Sequence, residues 1–65
     1  MNAPYLRFAH WCAAQVADWD RQDTELMDAL SGLEPHERKV NTDRIVEARN
    51  QIVLDKAREM GIVMS

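Results

Sequence analysis

The sequence predicts an all-α fold, an antiparallel two-helix hairpin that dimerises into a four-helix bundle. Three observations predict it. The 65 residues include only 2 Gly and 2 Pro, and these fall where a helix would begin, turn or end. Apolar residues recur at alternating steps of four and three. The lone Cys12 excludes an internal disulfide, and a single core in a chain this short supplies only about 3–5 kcal/mol. A second copy is the expected remedy.

The first helix is expected over about residues 4–30. Asn2 and Pro4 stand where a cap and a first-turn proline belong, and neither Gly nor Pro interrupts the chain from there to Leu30. Its seam runs Tyr5, Ala9, Cys12, Val16, Trp19, Asp23, Leu26, Leu30 and Leu33, in which only Asp23 is polar. Leu6, Ala13 and Met27 widen the stripe on one flank, and Phe8 with Ala29 widens it on the other. A helix apolar on two flanks needs more than one neighbour.

A turn is expected over about residues 31–35, through Ser31-Gly32-Leu33-Glu34-Pro35. Gly32 suits a left-handed C-terminal position, and Pro35 cannot continue the first helix. The second helix is expected over about 41–60, capped by Asn41 or Thr42 and stopped by Gly61, with a start near residue 36 as the alternative. Its apolar positions are Ile45, Val46, Ile52, Val53, Ala57 and Met60. Of these, Ile45, Ile52, Val53 and Met60, with Tyr5, Cys12, Val16, Trp19, Leu26 and Leu30, supply the hairpin or dimer seam. Arg49 and Lys56 fall near the centre of this stripe, so they require specific partners. Antiparallel pairing brings Asp23 opposite Arg49, and a buried ion pair between them would fix register.

The net charge is −3, without the basic excess of a general nucleic-acid binder. Residues 1–34 carry 2 basic and 6 acidic side chains, and residues 35–65 carry 6 and 5. Arg38, Lys39, Arg44, Arg49, Lys56 and Arg58 make nucleic-acid binding by a dimeric bundle the alternative function, although interleaved acids nearly cancel their field. No stretch reads as a signal peptide or membrane span, and with the single thiol this places the expectation in the cytoplasm, away from membranes.

Catalytic and metal chemistry find no support in the residues. His10 and Cys12 are two apart and point in nearly opposite directions on a helix, so they cannot chelate one ion. Asp18, Asp20, Asp23, Glu25 and Asp28 lack the glycine and the terminal glutamate of a calcium loop. No Gly-rich phosphate loop or nucleophile–base pair occurs. The expectation is a non-enzymatic protein without cofactor or metal: an adaptor, inhibitor or regulator that docks a helical surface on another protein. Phe8, Trp11 and Gln15 are the first candidate contact residues, because Trp11 lies one step outside the seam and tryptophan is enriched at interaction hot spots. Phe8 and Trp11 either pack within the homodimer, the favoured reading, or anchor a different protein, and a dimer groove that binds the partner would combine the two. The acidic positions Asp18 and Glu25 come next. A purely structural assembly module is the remaining alternative.

Overall fold

The computed structural model describes residues 3–63. Two helices, α1 (Ala3–Ser31) and α2 (Pro35–Glu59), pack against each other across a three-residue turn, and no strand occurs among the described residues. The expected cap at Asn2 lies outside the described residues.

The second helix begins at Pro35, not near Asn41. Proline at the first helical position lacks an N–H that would be unpaired there anyway, and its fixed φ suits the helix. Glu34 is the N-cap, with extended backbone and no side-chain cap bond, and its carbonyl accepts from Arg38 N at 2.8 Å. Asn41 and Thr42 therefore do not cap. Their side chains bond back to the carbonyls of Glu37 and Arg38, at 2.7 and 2.8 Å, which is how such residues are accommodated inside a helix.

Gly32 does not take the left-handed conformation, which among the described residues belongs to Gly61 at φ 76°. The first helix instead ends in a tight turn, with Leu33 N bonding to Leu30 O at 3.1 Å. The second ends in a Schellman motif: Ile62 N bonds to Ala57 O at 2.8 Å and Gly61 N to Arg58 O at 3.1 Å. Both bonds satisfy carbonyls that the helix leaves open, and the geometry requires a residue comfortable at positive φ.

The side of α1 that faces α2 follows the expected seam only near the turn. Leu30, Leu26, Asp23 and Trp19 are half-buried, but further toward the N-terminus the half-buried positions become Gln15, Cys12, Trp11 and Phe8. Tyr5 and Val16 are exposed, at 49% and 50%. The cause is the mismatch between a heptad and a straight helix, which rotates a strict seven-residue repeat by about 20° per heptad. Across the length of α1 the seam turns away from α2, and the Phe8 flank turns toward it. On α2 the inward positions are Ile45, Arg49, Val53, Lys56 and Ala57, followed by the C-cap Met60, whereas Ile52 is exposed. Tyr5, Val16 and Ile52 thus lie outside the contact between the two helices.

The molecule measures 47 × 23 × 14 Å, one helix thick. Its radius of gyration is 14.8 Å, against about 11 Å for a compact chain of this length. Among the described residues only Ala57 is fully buried, at 1% exposure.

Candidate interaction surface

Polar and aromatic anchors hold the hairpin. Arg49 Nη2 lies 2.8 Å from Asp23 Oδ1, the pairing expected from sequence, and the Arg49 guanidinium sits 5.1 Å from the Trp19 ring centroid. The Arg49 side chain is 20% exposed and that of Asp23 43%. The pair is therefore half-sheltered, not buried, and water still reaches the carboxylate. Nearer the open end, Lys56 Nζ lies 5.8 Å from the Trp11 centroid and 3.3 Å from Glu59. Trp11 in turn stacks on Phe8, with centroids 6.2 Å apart and planes inclined by 11°. Each half-buried basic stem carries its charge to an aromatic face and a carboxylate at the rim.

At the turn, Arg38 supplies what α1 lacks. The last turn of α1 contains no basic residue, and Arg38 of α2 donates from Nε to Leu30 O at 3.3 Å and from Nη2 to Leu33 O at 3.1 Å. A cation at the carbonyl end of a helix is favourable. Its own chain provides that cation from across the turn.

The expected contact residues divide. Phe8, Trp11 and Gln15 are half-buried along the α2-facing side, so Trp11 is not left in water by the hairpin. The rotation described above brings it under Lys56. Asp18 is exposed and paired with Arg21, and Glu25 is exposed. The basic residues of α2 are largely engaged: Lys39 pairs with Asp43 at 2.9 Å and Arg58 with Asp55 at 3.8 Å, besides Arg49, Lys56 and Arg38. Cys12 is a half-buried free thiol and His10 is exposed. Among the described residues no three His, Cys, Asp or Glu side chains converge as a metal site, and no helix is long and apolar enough to cross a membrane.

Sequence reasoning gave less weight to a different surface. Tyr5, Leu6, Val16, Met27, Val46 and Leu54 are all exposed, Met27 to 71%. Met27 and Val46 line one open groove of about 310 Å³ between the helices, which also contains Leu26, Ile45 and the Asp23–Arg49 pair. The Leu6, Ala13 and Met27 flank was its signal in the sequence. No family model, curated protein or solved structure matches this chain.

Proposed function

We propose that the hairpin pairs with a second copy to form a four-helix bundle, and that this bundle is a small non-enzymatic module acting by docking on another protein. The observation that carries the reading is the single layer: helices 29 and 25 residues long fully bury one described side chain, Ala57. Domains enclose a core between two layers, and a second copy of the hairpin supplies the layer that these two helices lack. Sedimentation equilibrium at micromolar concentration tests the first half, with a dimer expected. A stable, folded monomer would overturn it.

The surface we assign to the partner is the edge of Phe8, Trp11 and Gln15 with the neighbouring carboxylates Asp18 and Glu25. Tryptophan bordered by charge supplies area with orientation, as interaction hot spots do. The charge reversals Asp18→Lys and Glu25→Lys alter exposed positions and leave the hairpin contact intact. Capture from the native host followed by mass spectrometry should yield a protein bound by the unaltered chain and lost with the doubly reversed one. Identical capture by both would remove the acidic positions from the docking surface.

A further inference from the structure

We infer that the second copy covers the hairpin face bearing Tyr5, Val16 and Met27 of α1 with Val46 of α2. This rests on the dimer reading above and assigns its interface. In an antiparallel pair of right-handed helices, residues displaced in the same rotational sense from the line of contact lie on the same side of the pair. Tyr5, Val16 and Met27 are displaced in that sense from Trp19 and Leu30, and Val46 is so displaced from Arg49; Leu54, about 140° round from Arg49, points away from α1 beside Ala57 and Ile62. The exposures of Tyr5, Val16, Met27 and Val46 are 49%, 50%, 71% and 49%. The opposite side carries Ile52 and the stacked Phe8–Trp11 edge beside Gln15, Lys56 and the carboxylates. The asymmetry is therefore one face of exposed, mainly aliphatic side chains and one half-buried aromatic edge bordered by charge. Asp20 lies about 40° further round α1 than Val16, at the margin of the apolar face.

The area matches a copy of the chain. Its accessible surface is 5249 Å², whereas a compact monomer of 7.5 kDa exposes about 4,200 Å². The excess, about 1,000 Å², is close to the roughly 800 Å² that each partner contributes to a standard stable interface. The face measures 47 × 23 Å, so a slab of equal dimensions covers it end to end. It also carries both halves of a packing surface. Ala9 and Ala13 leave room for close approach, and Val16, Met27 and Val46 project from it, as a self-complementary two-fold interface requires. The copy would also seal the groove between Met27 and Val46 and the exposed edge of Asp23.

Sedimentation equilibrium with helicity followed by circular dichroism tests the assignment. Val16→Glu and Met27→Glu place a charge in the covered face and should each weaken dimerisation at least about 100-fold, whereas Ile52→Glu on the other side should change it less than about 3-fold. A monomeric unaltered chain would overturn the dimer and the interface together. Dimers as tight in both face variants as in the unaltered chain would overturn the interface alone. Should these variants lose helicity, hydroxyl-radical footprinting of the unaltered dimer decides. The labelling rates of Val16 and Met27, each taken relative to the same residue in the unfolded chain, should then be lower than that of Ile52 on the same scale, and equal protection of all three would refute the assignment.

Discussion

Separating Asp23 from Arg49 should cost more than breaking a surface ion pair and less than breaking a buried one. The charges stand 2.8 Å apart at their nearest atoms. At an effective dielectric of about 20, two charges about 4 Å apart attract by about 4 kcal/mol. Asp23 is 43% exposed, so water recovers much of that when the pair opens. Exposed pairs are worth about 0.2–1 kcal/mol and a broken buried pair costs about 3–5 kcal/mol, which places the coupling here at about 1–1.5 kcal/mol. Arg49 also loses its contact with Trp19, worth about 0.5–1 kcal/mol, and the packing of its stem. Asp23→Ala should therefore destabilise by about 1 kcal/mol and Arg49→Ala by about 2–3 kcal/mol, with the double variant falling short of their sum by the coupling. Urea unfolding followed by circular dichroism, at one fixed chain concentration because association stabilises the folded state, measures all four corners of the cycle. Exchanging the charges, Asp23→Arg with Arg49→Asp, should recover part of the loss. A coupling below about 0.3 kcal/mol would refute the idea that this pair sets the register of the hairpin.

Two further perturbations separate backbone from side-chain effects. Gly61→Ala forces an L side chain into positive φ and should cost about 1 kcal/mol, whereas Gly32→Ala, with open space and no positive φ, should be neutral or stabilise by up to about 1 kcal/mol; thermal unfolding of the pair shows the contrast. Arg38→Met keeps the stem but removes both bonds to the end of α1, and a loss of about 0.5–1.5 kcal/mol in urea titrations is expected.

What the sequence made legible follows from how local each signal is. The end of the second helix was readable because Gly61 acts through its own φ. The Asp23–Arg49 pairing was readable because charged residues on apolar stripes have few places to go. The fate of Trp11 was not, because it depends on whether the helices supercoil to follow the heptad or stay straight and let it drift, a property of the pair and not of any residue. The same drift moved Tyr5 and Val16 out of the hairpin contact. The start of the second helix was obscured by Asn41 and Thr42, good caps in isolation that here bond backward into a helix already begun at Pro35. Arg38 went unrecognised because its contact crosses a turn whose geometry no periodicity describes.

The Arg38 bridge also bears on the order in which the hairpin assembles. It joins residues eight apart in sequence, so closing it costs about 1.5 kcal/mol less in chain entropy than closing the contact of Trp11 with Lys56 at the open end. Contacts this local lie at the fast end of folding, in microseconds to milliseconds for helical proteins. The hairpin should close from the turn outward and reopen from Phe8 and Trp11 inward, so the aromatic edge assigned to the partner is also the part that breathes most often.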